Sequence, residues 1–126
     1  MNTKQELQAM TDHLQDYVLD GELYKTITVK SDSGESLIKM TIGGMLDRIA
    51  ALESSGEAPE VASAARDALA REQRSQPQNF SALVAREAKS NADSWSWYLQ
   101  RVAEGEEQSI RDYPQERGIR TRLERL

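Results

Sequence analysis

Two hydrophobic rhythms run along this chain, and the places where one gives way to the other mark its elements. Leu7, Met10, Leu14, Tyr17 and Val18 recur at spacings of three and four, which puts them on one stripe of an α-helix. Thr3 and Glu6 stand at the spacing of a capping box, in which each side chain satisfies a free backbone N–H at the other end, so the helix is expected to begin there. Asp20-Gly21 should end it, because glycine takes the left-handed conformation of a C-terminal cap without steric cost.

From Leu23 the period drops to two. LYKTITVK and ESLIKMTI, rich in Ile, Val, Thr and Tyr, flank Ser31, Asp32, Ser33 and Gly34, a turn with side-chain acceptors and a glycine, and together they predict a β-hairpin. Pairing Lys30 with Glu35 sets Ile27 opposite Ile38 and Leu23 opposite Ile42, with Val29 on the same apolar face. Tyr24, Thr26, Thr28, Lys30, Glu35, Lys39 and Thr41 then take the other, mostly solvated face. A lone two-stranded ribbon is marginal in water, so the apolar face needs cover from helices of its own chain or from a second copy.

The helical period returns with Ile42, Met45, Leu46, Ile49 and Leu52, capped by Thr41 or by one of Gly43 and Gly44 and stopped at Gly56. Pro59 suits the first turn of a third helix, whose weak apolar face is Val61, Ala65, Ala68 and Leu69. The segment Ser75–Asn79 is expected to break the chain, and Asn79 or Ser81 to cap a long fourth helix with Phe80, Val84, Ala88, Trp95, Tyr98, Leu99 and Val102 in one sector. Trp97 falls nearly opposite, among Arg86, Ser90, Asp93 and Arg101. Pro114 prevents that helix from running much beyond Tyr113, and the remaining residues, 114–126, repeat an amphipathic pattern of Ile119, Leu123 and Leu126 among Arg117, Arg120, Arg122 and Arg125. The expected fold is α+β and predominantly α-helical: about four helices, with one antiparallel hairpin (about 23–42) inserted after the first. Residues 1–113 form a single helical domain and 114–126 a charged amphipathic tail.

Composition sharpens this picture in one respect. Leu, Ile, Val and Phe together supply 24 of 126 residues, and Ala another 14, so the core is thin and relies on close helix packing. A chain of this size with few bulky apolar residues is expected either to be an elongated monomer or, the favoured reading, to complete its core by self-association, most simply as a two-fold dimer. No apolar run approaches the roughly 20 residues that span a bilayer, and the first residues lack the apolar core of a signal peptide, so a cytoplasmic protein with no membrane partner is the default. The absence of cysteine excludes disulfides and thiolate zinc sites.

Candidate chemistry is sparse. His13 lies beside Asp12, Asp16 and Asp20, but a metal site would need further ligands, there is no second histidine, and the aspartates suit a solvated helix face. Gly43-Gly44 at a helix start could let an anion approach backbone N–H groups, yet the Lys and Ser/Thr of a phosphate loop are missing, and close packing at the strand-to-helix corner explains the glycines better. No nucleophile elbow or His-Glu-x-x-His pair is present, so neither a catalytic residue, a metal nor a cofactor is expected. Thr26, Thr28, Lys30 and Lys39 could carry the ribbon into a nucleic-acid groove. Against this, residues 1–60 hold five Lys or Arg and eleven Asp or Glu, a net charge of -6 that repels phosphates. A winged-helix domain would also place its hairpin after the helix-turn-helix rather than after the first helix.

The reading that remains is a non-enzymatic protein acting through protein contacts, as a self-associating structural, adaptor or regulatory chain. The alternatives are a nucleic-acid-associated regulator using the ribbon and a small enzyme whose pocket the sequence does not reveal. Candidate interface residues are Trp97 with Arg101, types enriched at binding hot spots, and Ile119 with Leu123 on the tail.

Overall fold

A computed structural model of the chain describes residues 2–23, 25–93 and 114–126. The elements, in order, are α1 (Thr3–Asp20), β1 (Thr26–Ser31), β2 (Gly34–Lys39), α2 (Ile42–Ser55), α3 (Pro59–Ser75), α4 (Pro77–Asp93) and α5 (Pro114–Glu124). The fold is α+β and mostly helical, with one antiparallel hairpin after the first helix and five helices among the described residues, one more than the hydrophobic pattern suggests. The fifth is the tail, which begins at Pro114, since proline's missing N–H is no loss in a first helical turn.

All five stripe residues of α1 are buried, as are Ile42, Met45, Leu46, Ile49 and Leu52 of α2. The box at the start of α1 sits one residue earlier than Thr3 and Glu6 suggest. Asn2 is the cap: its side chain accepts from the Gln5 N–H at 2.9 Å, and Gln5 Oε1 accepts from the Asn2 N–H at 3.3 Å. Asparagine outranks threonine as a cap, and Gln5 supplies the reciprocal acceptor that Glu6 was expected to provide. Glu6 instead receives Arg48 of α2 at 2.8 Å, tying two helices together.

The hairpin ladder runs from Thr26 opposite Lys39 to Ser31 opposite Gly34 and includes Lys30 opposite Glu35 and Ile27 opposite Ile38. Only Asp32 and Ser33 remain as the turn, with Gly34 at φ +122°, a conformation that L side chains rarely adopt. Ile42 does not reach a position opposite Leu23, because Thr41 caps α2 through the Gly44 N–H at 2.8 Å and Ile42 is already helical. The apolar face is covered: β1 packs on α1, Ile27 joins the core cluster, and Val29 is buried as well.

The interruption between α3 and α4 is narrower than Ser75–Asn79. Only Gln76 departs from helical geometry, at φ -134° and ψ 57°, because the proline ring of Pro77 excludes the α region for the residue before it. Its N–H still bonds to the Glu72 carbonyl and its carbonyl accepts from the Phe80 N–H, both at 2.9 Å, so the two helices join at a sharp corner. The core cluster joins α1, Ile27 of β1 and all four other helices, with Met40 between β2 and α2 fully buried. No helix among the described residues is long and apolar enough to cross a membrane.

Candidate functional site

Two features stand apart from ordinary core packing. The first is a buried carboxylate. Phe80, Val84 and Ala88 turn one face of α4 inward, and Glu87 lies on that face, 3% exposed. Its carboxylate sits at the N-terminus of α2, where helix N–H groups have no intrahelical partner. Ile42 N–H donates to it at 2.8 Å, Gly43 N–H at 3.2 Å, and the Tyr17 hydroxyl of α1 at 2.8 Å. Burial pushes the Glu87 carboxyl above its ordinary range, opposed by those three donors and by the charge of Lys39. The Tyr17 hydroxyl is in turn driven well above the usual tyrosine range by its own burial and by the adjoining carboxylate.

Gly43 and Gly44 therefore do admit an anion to the helix N-terminus, but the anion is the chain's own. A side chain at Gly44 would place its Cβ 2.6 Å from Thr41 Oγ1 and 3.2 Å from Met10 Cε, so close packing demands the glycine. A surface cavity of about 470 Å³ opens beside this corner, between Lys39 of β2, Thr41 and Asp47 at the start of α2, and Gly118 and Arg122 of α5. Arg122 pairs with Asp47 at 2.9 Å across it. With both oxygens of Glu87 engaged by donors, the arrangement is a three-element clamp and not a poised acid or base.

The second feature is the outer strand. Every residue of β2 is exposed except the half-buried Ile38, and Leu37, which alternation places on the outer face opposite Thr28, is 71% exposed. The sheet has two strands, so among the described residues no further strand flanks β2. The edge geometry follows from one bond. Met40 N–H donates to the Lys25 carbonyl at 2.9 Å, so that opposed pair points its backbone groups inward. In an antiparallel ladder this alternates, which turns the backbone of Gly34, Ser36 and Ile38 toward β1 and that of Glu35, Leu37 and Lys39 away from it.

Trp97 and Arg101 lie outside the described residues. Ile119 and Leu123 are 7% and 6% exposed and belong to the core cluster, because α5 packs on α4 of the same chain, with Arg120 donating to the Ser81 hydroxyl at 3.0 Å. The tail's apolar stripe is thus packed within the chain. His13 donates from Nδ1 to the Ala9 carbonyl at 2.9 Å, and Asp20 pairs with Lys25 at 3.2 Å. Neither Glu87 nor Leu37 figures among the residues the pattern singles out. The signal for Glu87 is positional, an acid three residues after Val84 and seven after Phe80 on an apolar stripe. Leu37 signals itself as the one large aliphatic residue on the polar parity of the hairpin.

Comparison with known protein families, with curated proteins and with solved structures found no match to this chain.

Proposed function

We propose that this chain works through protein contacts, as a self-associating structural, adaptor or regulatory protein. The observation that supports this reading is β2: a six-residue strand of a two-stranded sheet, flanked by no further strand among the described residues, with Leu37 71% exposed. An open, regular edge presents a row of backbone donors and acceptors that another chain can satisfy, and proteins that keep such an edge to themselves usually bend, bulge or cover it. The ladder of this hairpin is unbroken from Thr26 to Lys39, with no bulge. Glu87, by contrast, is engaged by structural donors on both oxygens, which argues against an acid–base role for it.

Light scattering at micromolar concentration tests the proposal. A mass of about 28 kDa, twice the 14.2 kDa of the chain, is the expected result, and a monomer mass that persists up to millimolar concentration overturns it.

A further inference from the structure

We propose that α5 is a displaceable helix seated in a docking groove, and that the groove takes a basic amphipathic helix of a protein partner in its place. This goes beyond the strand edge of β2 and rests on a different surface. α5 meets the body chiefly through α4, with a short border on α2. Ile119 and Leu123, one turn apart, reach the core cluster, and Leu126 packs partly against it. The polar anchors lie at or near the surface: Arg122 pairs with Asp47 at 2.9 Å, Arg120 donates to the Ser81 hydroxyl at 3.0 Å, and Arg66 donates to the Arg125 carbonyl at 3.4 Å. An exposed ion pair such as the first contributes little and is screened by salt. An 11-residue helix is too short to hold itself in water, so α5 depends on its seat.

The sequence of α5 keeps that seat loose. Gly118 lies in the helix interior, where glycine weakens a helix about fourfold to fivefold relative to alanine. A Cβ there would meet nothing within 4 Å, so packing does not require the glycine. Nor does α5 fill the groove. A cleft of about 270 Å³ lies between its Arg120 and Leu123 and the side chains of Gln73 and Phe80, and the cavity of about 470 Å³ opens along Gly118 and Ile119 on the other flank. A helix with bulkier apolar residues at the two anchor positions gains contacts that α5 leaves unmade. Charge defines the occupant further. Residues 114–126 hold four Arg and two Glu, a net charge of +2, whereas the rest of the chain, with 12 Lys or Arg and 19 Asp or Glu, carries -7. Helices that bind grooves are read by apolar anchors at i and i+4, and opposite charge steers them in. A partner helix therefore carries two large apolar residues one turn apart, with Arg or Lys beside them toward Asp47 and Ser81. In the intact chain α5 competes from within, so the partner meets the groove only when α5 opens.

Two measurements on the full chain test this. Amide exchange followed by NMR should show residues 119–124 opening on the order of tenfold or more faster than residues 45–52 of α2, and Gly118→Ala should slow them about fourfold to fivefold while leaving α2 unchanged. Ile119→Asp/Leu123→Asp should release α5 and leave the groove intact. A fluorescent peptide of residues 114–126 should then bind this variant saturably, on the order of tenfold or more tightly than it binds the native chain, and less tightly as salt is added. The same peptide carrying both aspartates serves as the blank and should not bind. Exchange in α5 as slow as in α2, or unaltered by Gly118→Ala, overturns the displaceable helix. Failure of the peptide to bind a released variant that circular dichroism shows to be folded overturns the groove. A double variant that does not fold makes α5 a part of the core rather than a cover, and that too overturns the proposal. None of these results bears on β2 or on self-association, which light scattering decides separately.

Discussion

Replacing Glu87 with alanine should be among the most damaging single changes in the fold, and the structure supplies the reason and the size. The carboxylate receives the Tyr17 hydroxyl at 2.8 Å, the Ile42 N–H at 2.8 Å and the Gly43 N–H at 3.2 Å. Alanine strands all three donors. Tyr17 and Ile42 are fully buried, whereas Gly43 borders the 470 Å³ cavity and can turn to water. A buried donor left without a partner costs about 1–3 kcal/mol, so the two enclosed ones together cost about 2–6 kcal/mol. That is a large share of the roughly 5–15 kcal/mol that holds a typical domain folded. Glu87→Gln is the informative control. Its Oε1 can still accept from the Ile42 and Gly43 N–H groups, as Glu87 Oε1 does at 3.1 and 3.2 Å, and its Nε2 can donate to the Tyr17 oxygen but then faces the Ile42 N–H that Oε2 accepts at 2.8 Å, so the loss should be about 1–2 kcal/mol, below that of alanine. Urea unfolding followed by circular dichroism, with slope and midpoint fitted together, gives both values. Should alanine and glutamine fall within about 0.5 kcal/mol of each other, the clamp is not what holds these elements together.

Acidity provides a second readout of the same residue. Because the folded carboxyl takes up its proton at a higher pH than the unfolded one, its contribution is fully present below the ordinary Glu value and declines as the pH rises through the elevated one. The unfolding free energy of the native chain relative to Glu87→Gln should therefore fall as the pH rises above the ordinary glutamate value of about 4.3, and a flat difference refutes the assignment. Gly44→Ala should lower stability by about 1–3 kcal/mol through overlap with Thr41 and Met10, while Gly43→Ala, whose Cβ meets nothing closer than 3.8 Å, should not; equal thermal midpoints for the two would contradict the packing argument. Ala58 holds φ +43° in a left-handed conformation just before Pro59, so Ala58→Gly should raise stability by about 0.5–1 kcal/mol, measured as an upward shift of the urea midpoint.

The stripes and the hairpin register were legible in the sequence because each depends on period alone. Leu7 through Val18, Ile42 through Leu52, and the opposition of Lys30 with Glu35 follow from spacings of 3.6 and 2, and those spacings survive folding unchanged. Boundaries were less legible. Asn2 displaced Thr3 as a cap, and Pro77 began a helix inside a segment that reads as a break, because capping and pre-proline geometry turn on single residues. The clamp was hardest to foresee. Glu87 is 45 positions from Ile42 and 70 from Tyr17, and nothing local to any of the three indicates that they meet. A polar residue on an apolar stripe gives notice that some buried donor must exist, as Glu72 does on α3 where Gln76 Nε2 reaches it at 2.8 Å, but it does not say which. The tail's stripe was legible as amphipathic, but its partner, α4 of the same chain, depends on tertiary placement.

The clamp also bears on the strand edge, through the two residues that separate β2 from α2. Met40 is fully buried and gives its N–H to Lys25, Thr41 caps the helix, and the next two N–H groups are held by Glu87. The exit of the hairpin is thereby pinned to α1, α2 and α4 at once, and β1 lies on α1, so β2 is presented in a fixed pose although it contributes little to the core itself. An edge held in this way has little conformational freedom left to lose on pairing, and pairing free energy depends on such preorganisation as much as on contact. On the proposed role of β2, Glu87 would join stability to contact: a substitution that loosens the exit without unfolding the chain should weaken any pairing at this edge from a distance, while Leu37 remains untouched.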